Sequence, residues 1–288
     1  MNEFVRVEHP SGTPLPVVFD SPHSGSVYPD DFGHALDRMV LRRSEDAHIE
    51  ELFAHVTKQG ATMVHALFPR CYIDPNRNED DIDLDMIDGD WPGPVNPSAK
   101  TIDRGVGLIW KKMRVQGAVY DRKLSPAEAA GRIKNYWRPY HETLRQQLNE
   151  AVAAHGFAIH IDCHSMSGMG DAETEDGAVQ RPDFVIGDRD GTTCAPEVTA
   201  CVVEVLRDLG YSVAVNYPYK GMELIRRHGR PHENRHAIQI EINRSLYMDE
   251  GTMAKTEGFL ALRRNLETLT GAICALCDTL REERADAQ

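Results

Sequence analysis

Apolar residues in this chain fall into short runs that alternate with longer segments of helical spacing. The short runs predict strands at residues 15–19, 61–67, 71–74, 106–110, 157–161, 184–186, 213–215 and 237–242. The helical spacing predicts helices at about 49–60, 126–154, 196–209 and 256–280. Strands that alternate with helices are typical of an α/β fold. We therefore expect a mixed, largely parallel central sheet flanked by helices.

The helix predicted at 126–154 has a strong start signal and an internal proline. Ser125 is a favourable N-cap residue, Pro126 suits the first helical position, and Glu128 adds an acid to the first turn. Pro139 lies inside the helical pattern and predicts a kink, because proline has no N–H to donate and its ring crowds the preceding turn.

Residues 79–103 are acidic, rich in glycine and proline, and without a clear period. This composition predicts a long surface excursion, and loops of this length in compact domains are usually functional or mobile. The chain of 288 residues is otherwise expected to form one large domain over 1–288, with two smaller domains as the alternative.

Composition narrows the function classes. The chain is 41% hydrophobic and 27% charged, which is typical of a soluble globular protein. Its net charge of -13 argues against general binding to nucleic acid or to an anionic membrane. We see no secretory signal and no apolar run long enough to span a bilayer. The six cysteines are scattered, which favours reduced thiols. We expect a cytoplasmic enzyme without nucleic-acid or membrane partners, and its oligomeric state stays open.

The strand predicted at 157–161 runs into a group of metal-capable side chains. The segment 158–168 reads Ala-Ile-His-Ile-Asp-Cys-His-Ser-Met-Ser-Gly. Open α/β sheets place their ligands at the carboxyl ends of strands, so His164 is a candidate metal ligand. Alternatively, Asp162 and His164 only close a turn by hydrogen bonding. His160 lies within the strand and is interpreted as a core histidine.

Three further candidates lie within predicted elements or at their ends. His23 follows the first strand, Glu241 lies in the last strand, and Asp46 opens the first helix beside Glu45. Two histidines and one carboxylate with an open position compose a hydrolytic zinc site. A second carboxylate can then move the proton of the attacking water. With 13 His and 45 acids, such combinations arise by chance, so placement at strand ends carries the argument.

Two Asn-Arg pairs lie close to these candidate segments. They are Asn76-Arg77 and Asn243-Arg244. An arginine held in a polar loop can bind a carboxylate through two parallel hydrogen bonds. The alternative is that both arginines are solvated loop residues. We expect the pairs to bind a small, acidic substrate.

In combination, these segments resemble the N-formylglutamate amidohydrolase family. The matching segments are Asp-Ser-Pro-His-Ser-Gly at 20–25, Glu-Asp at 45–46, Asp-Pro-Asn-Arg at 74–77, Trp-Arg-Pro-Tyr-His at 137–141, Asp-Cys-His-Ser at 162–165 and Gln-Ile-Glu-Ile-Asn-Arg-Ser-Leu-Tyr-Met at 239–248. They follow the order of the family and extend from about residue 15 to about 250.

The resemblance implies a zinc-exopeptidase-like (phosphorylase/hydrolase-like) α/β fold. It implies His23, Asp46 and His164 as ligands of one Zn²⁺, with Glu45 as the substitute for Asp46. Other divalent metals also suit such ligands. It further implies Glu241 as the general base and Arg77 and Arg244, with their neighbours Asn76 and Asn243, as substrate-binding residues. The family reaction is hydrolysis of N-formyl-L-glutamate to formate and L-glutamate, a step of histidine degradation.

Two other functions remain open at this point. One is hydrolysis of a different N-acyl amino acid or a small peptide, because the segment 220–226 departs from the family's paired-glycine pattern. The other is a non-catalytic ligand-binding protein on the same scaffold. A base at Glu241 argues against the second alternative, since a binding protein needs no proton acceptor there.

Overall fold

The structure is a computed structural model that describes residues 3–113, 115–172 and 174–286. The strands are β1 (Val5–Glu8), β2 (Val17–Ser21), β3 (Thr62–Ala66), β4 (Lys112–Met113), β5 (Gly117–Ala118), β6 (Ala158–Met166), β7 (Phe184–Gly187), β8 (Val213–Val215) and β9 (Arg235–Asn243). The α-helices are α1 (Arg38–Arg42), α2 (Ile49–Leu52), α3 (Ala99–Arg104), α4 (Pro126–Arg132), α5 (Arg138–His155), α6 (Pro196–Asp208), α7 (Glu223–His228) and α8 (Gly258–Asp286).

Seven of these strands form one sheet in the order β1-β3-β2-β6-β9-β7-β8. The central pairs β2–β6 and β6–β9 are parallel, as is β7–β8, whereas β7 runs antiparallel to β9. Helices α2 and α7 pack against β6, and α6 packs against β8. The predicted fold class, a mixed and largely parallel sheet flanked by helices, is confirmed.

The described residues group into two compact units. Unit 1 comprises those within 1–6, 22–47 and 65–144, and unit 2 those within 7–21, 48–64 and 145–288. The organisation as a single domain stays a prediction. The predicted excursion at 79–103 contains a 3₁₀ turn, Leu84–Met86, and most of α3.

Strand β6 is longer than predicted, and this changes the position of its polar residues. The expected end at residue 161 is wrong, because β9 pairs with β6 continuously from Ala158 opposite Arg235 to Met166 opposite Asn243. Asp162 and His164 are therefore strand residues and do not close a turn. In a strand, alternate side chains share a face, so His160, Asp162 and His164 point to the same side.

Two predicted strands are absent from the described residues. Residues 71–74 form turns, in which the Tyr72 N–H donates to Pro69 O at 3.0 Å and the Arg77 N–H to Asp74 O at 3.2 Å. Residues 106–110 retain an isolated bridge between Val106 and Trp110. Short apolar runs do not by themselves distinguish a strand from another buried segment.

The helix predicted at 49–60 begins at Ile49 as expected, but it is divided. His48, at its N-cap, adopts φ 67°, outside the right-handed helical region. After α2, a separate 3₁₀ turn covers Val56–Gln59.

The long helix around Pro139 is interrupted just before the proline. A π-helical segment, Ile133–Trp137, separates α4 from α5. A proline ring clashes with the carbonyl four residues earlier, so the widened turn relieves this clash where a kink was predicted.

None of the helices among the described residues has the length and the apolar composition that a membrane span requires.

The predicted start of α4 is a complete capping box. The Glu128 N–H donates to Ser125 Oγ at 3.2 Å, and the Ser125 N–H donates to Glu128 Oε2 at 2.8 Å. We expect Ser125→Ala to lower the free energy of unfolding by about 1 kcal/mol, because a helix N–H loses its acceptor. Urea unfolding measures the difference. Ser125→Thr, which keeps the hydroxyl, should stay close to the parent, and equal stability of the alanine variant would contradict the role of the cap.

Candidate metal centre

The structure brings three of the sequence-predicted residues together. His23, Asp46 and His164 each offer one ligand atom, and these three atoms lie within 4.8 Å of one another. All three side chains are buried, with 1%, 1% and 2% of their surface exposed. Buried groups with this chemistry rarely converge without a partner of opposite charge, because removing a carboxylate from water is costly.

His23 is held by the loop that follows β2. The chain leaves the strand at Ser21, and the Asp46 N–H donates to His23 O at 2.9 Å, so two of the candidate ligands are joined through the backbone. Gly25 packs so closely on the backbone of Leu67 and Phe68 that any Cβ there would overlap it. This close approach explains the glycine in the segment 20–25.

A buried carboxylate orients the His23 ring. His23 Nε2 lies 2.6 Å from Asp74 Oδ1, while Nδ1 faces Asp46 Oδ2 at 3.4 Å. An ionised Asp74 accepts a hydrogen bond from the protonated Nε2, so the lone pair lies on Nδ1, the nitrogen beside Asp46. A carboxylate–histidine pair of this kind fixes the tautomer of a metal ligand.

Asp74 is itself kept ionised by its surroundings. Burial alone would raise the pKa of Asp74, but the Arg70 guanidinium, His23 and Arg77 hold this pKa well below its usual range. Arg70 Nη2 donates to Asp74 Oδ2 at 3.0 Å and Arg70 Nη1 lies 3.7 Å from Asp46 Oδ1, so one cation serves both carboxylates. The Asn76 N–H adds a hydrogen bond to Asp74 Oδ1 at 2.9 Å.

His164 has a comparable partner within β6. Its Nε2 lies 2.7 Å from Asp162 Oδ1, two residues earlier on the same face of the strand. This contact agrees with the interpretation of Asp162 as a group that orients a ligand. His160, the core histidine of the sequence analysis, is buried and pairs with Asp20 at 2.7 Å. The Asp20 carboxylate holds the pKa of His160 above its usual value, against the lowering effect of burial.

Glu45, the alternative to Asp46, is engaged elsewhere. Its two carboxylate oxygens accept hydrogen bonds from the Tyr28 hydroxyl at 3.0 Å and from Arg42 Nε at 3.2 Å. Burial raises the pKa of Glu45, although Arg42 and Tyr28 oppose this effect. The carboxylate that converges with the two histidines is therefore that of Asp46.

Glu241 lies directly beside His164. The two residues are register partners on the parallel strands β6 and β9, so their side chains emerge on the same face of the sheet. Glu241 is half-buried, and its Oε1 accepts a hydrogen bond from Gln239 Nε2 at 2.8 Å.

Arg244 and Asn243 follow the end of β9. Arg244 is half-buried, and its Nε donates to Ser165 Oγ at 3.0 Å, next to His164 in the chain. The Asn243 amide instead supports the backbone: its Nδ2 donates to Arg181 O at 3.3 Å, and its Oδ1 accepts from the Ser245 N–H at 3.0 Å.

Arg77 and Asn76 lie in the turn after Asp74, and both are buried. Arg77 Nε donates to Val106 O, and Arg77 Nη1 donates to Asn76 O, each at 3.0 Å. These bonds hold the loop around Asp74. Binding of substrate by Arg77 and Asn76 stays a prediction.

Sequence reasoning missed the roles of Asp74 and Arg70. Asp74 ends an apolar run and precedes Pro-Asn-Arg, a placement shared with Asp20 and Asp162, and this pattern was the available signal. Arg70 has only its four-residue spacing from Asp74, which becomes informative once the turn between them is known.

The donor set suits a divalent metal. Two imidazoles and a carboxylate are ligands of catalytic zinc, and carboxylates next to the two histidines complete the surroundings that such sites use. The set does not distinguish zinc from other first-row metals.

An α/β sheet with a buried His/Asp/His cluster and a glutamate beside it has the donor set of a hydrolase-type metal centre. The chain belongs to the N-formylglutamate amidohydrolase family, whose model matches residues 15–248. The resemblance seen in the sequence segments is thereby confirmed.

Relatives of known name agree with this membership. An N-formylglutamate deformylase of Pseudomonas putida is 30% identical over 240 residues, which cover 82% of this chain and 83% of that protein. A crystal structure of N-formylglutamate amidohydrolase from Ralstonia eutropha JMP134 is 44% identical, with a TM-score of 0.90 over 97% of this chain and 99% of that one. A protein from Agrobacterium tumefaciens shares the fold at 17% identity, with a TM-score of 0.65 over 94% and 93% of the two chains.

The Asp74–His23 contact generates a prediction for metal affinity. We expect Asp74→Asn to weaken binding of Zn²⁺ by about 10- to 100-fold, because the neutral amide no longer holds the proton on Nε2 as firmly. Competition with a chromophoric chelator measures the dissociation constant.

Asp188→Asn is the matched control for this prediction. Asp188 is also a buried carboxylate, but it accepts hydrogen bonds from Gly191, Asn216 and Thr199. Its substitution should leave the affinity for Zn²⁺ unchanged. Equal affinities for the Asp74 variant and the parent protein would show that Asp74 does not tune His23.

Proposed function

We propose that this protein hydrolyses N-formyl-L-glutamate to formate and L-glutamate with one divalent metal, zinc, held by His23, Asp46 and His164. The observation that carries the proposal is the convergence of these three buried side chains with Glu241 as the register neighbour of His164. Membership of the N-formylglutamate amidohydrolase family supports the choice of substrate.

The roles of the residues follow from their chemistry. A divalent metal at this site supplies Lewis acidity, which polarises a carbonyl and lowers the pKa of a bound water. Glu241 takes the proton of the attacking water and delivers it to the nitrogen of the departing glutamate. The water oxygen first forms the new C–O bond at the formyl carbon, and the C–N bond then breaks as the protonated nitrogen leaves with glutamate. Asp74 and Asp162 keep the imidazoles of His23 and His164 oriented throughout.

Two arginines are the proposed binding partners of the carboxylates of the acidic substrate. Arg244 is proposed to bind a substrate carboxylate, since it follows the end of β9 and its Nε donates to Ser165, the residue after His164 in the chain. Arg77 is the second proposed carboxylate partner, with Asn76 and Asn243 positioning the two arginine loops. A planar guanidinium matches a carboxylate through paired hydrogen bonds, which suits a substrate with two such groups.

The cellular setting is part of the same proposal. All six cysteines are free thiols, as expected for a reducing compartment, and we propose that the protein acts in the cytoplasm in histidine degradation. A substrate with a different acyl group or amino acid is the second candidate function, favoured by the departure of the segment 220–226 from the family pattern.

Release of the free amino acid from a panel of N-acyl amino acids tests this function. We expect purified protein to contain about one zinc per chain and to hydrolyse N-formylglutamate with a higher kcat/KM than N-acetyl- and N-succinylglutamate or N-formyl derivatives of neutral amino acids. A higher kcat/KM for another member of the panel would reassign the substrate. Full activity after exhaustive removal of metal would exclude the metal mechanism.

Glu241→Gln separates catalysis from binding in the same assay. We expect this variant to retain its metal and to lose turnover by at least about 100-fold, since the amide cannot accept the proton. His164→Ala should lose both metal and turnover. Unchanged turnover of Glu241→Gln would remove Glu241 from the mechanism, and binding of substrate without any turnover in the parent protein would identify a binding protein.

A further inference from the structure

We propose that Gln239 is a positioning residue that holds the Glu241 carboxylate in place for proton transfer. The inference rests on the proposed function, in which Glu241 is the general base. Gln239 lies two residues before Glu241 in β9, so both side chains emerge on the same face of the sheet. Gln239 is buried, whereas Glu241 is half-buried and able to reach substrate.

The orientation of the Gln239 amide is decided by a backbone group. The Met222 N–H donates to Gln239 Oε1 at 3.3 Å. Because a backbone N–H is a donor only, the oxygen of the amide must face Met222 and its NH₂ group must face away. The Gln239 NH₂ group then donates to Glu241 Oε1 at 2.8 Å. Gln239 therefore links the candidate base to the backbone: the Met222 N–H donates to Gln239, and Gln239 donates to Glu241.

The backbone anchor of this chain is rigidly placed. Met222 precedes α7, and the Arg226 N–H donates back to Met222 O at 3.1 Å. The preceding Gly221 has φ 91°, a backbone conformation that residues with a side chain rarely adopt. Gly187 in β7 in turn lies against the Gly221 backbone, where an added Cβ would come within 2.7 Å of the Gly221 nitrogen. The Met222 N–H thus has little freedom to follow a displaced glutamine.

A fixed carboxylate is what general-base catalysis needs. Glutamate has three rotatable side-chain bonds, and a half-buried one samples several rotamers unless a hydrogen bond selects among them. A displacement of about 1 Å of a reacting group can cost on the order of 100-fold in rate. Gln239 is therefore expected to affect the rate of the chemical step with little effect on the binding of substrate or metal.

Two substitutions at Gln239 test this role. Gln239→Glu has the same size and still accepts from the Met222 N–H, but it replaces the amide donor to Glu241 with a second carboxyl group, which competes with Glu241 for its proton. Gln239→Met has a similar length and removes both hydrogen bonds. We expect each variant to lower the single-turnover rate on N-formylglutamate by about 10- to 100-fold. KM and zinc content should change by less than about twofold, the pattern of a lost transition-state interaction.

Gln147→Met is the matched control. Gln147 is also a buried glutamine that donates to a glutamate, Glu150 Oε2 at 3.1 Å, but it belongs to α5. We expect its substitution to leave the single-turnover rate unchanged. The double variant Gln239→Met with Glu241→Gln should be no slower than Glu241→Gln alone, because a residue that acts through another has no separate effect once its partner is removed.

Side-chain amide NMR detects the hydrogen bond between Gln239 and Glu241 independently of any activity assay. The ¹⁵N-labelled Gln239 NH₂ signal, assigned by its loss in Gln239→Met, should move when Glu241 is replaced by Ala. Four results would each overturn the role of Gln239 and leave the proposed function intact. They are a wild-type rate in either Gln239 variant, a loss of zinc that parallels the loss of rate, an additive effect in the double variant, and an amide signal that does not move. A parent protein that hydrolyses no N-acyl amino acid would overturn the proposed function and this role with it.

Discussion

The parallel register of β2, β6 and β9 determines where the chemistry of this protein lies. Asp20 is opposite Asp162, which is opposite Gln239, and two residues later His164 is opposite Glu241. Side chains of register partners on parallel strands share a face, so polar residues with a spacing of two gather on one side of the sheet. A shift by one residue in either pair would turn the set to the opposite side and remove the site.

A polar face inside a sheet is costly unless its groups satisfy one another. Here His160 pairs with Asp20, His164 with Asp162, and Gln239 with both Glu241 and the Met222 N–H. Helix α7 covers part of this face, and the ring of His228 lies edge-on to that of His160 with centroids 6.2 Å apart. Each of these polar groups thus has a partner with complementary charge or hydrogen bonding, and the rings of His160 and His164 are oriented as a consequence.

The buried carboxylates around Asp74 are also paired, because one arginine forms ion pairs with two of them. Arg70 contacts both Asp74 and Asp46, and its guanidinium lies over the Trp110 ring at 5.2 Å from the centroid. An arginine stacked and paired in this way is already ordered, so it positions its partners at little entropic cost. The candidate ligands His23 and Asp46 are therefore supported by contacts that do not depend on the sheet.

Much of the architecture was readable from the sequence by itself, because apolar periodicity reports burial directly. The runs at 15–19, 184–186 and 213–215 became strands. His23, His164 and Glu241 could be named from their places after or within such runs, and Asp46 from its place at the start of the first predicted helix. Tertiary structure alone decided that β6 continues to Met166, that Asp46 and not Glu45 joins the histidines, and that Asp74, Arg70 and Gln239 support the site. These outcomes depend on pairing between segments distant in the chain, and a pattern of local periodicity contains no information about which distant groups will meet.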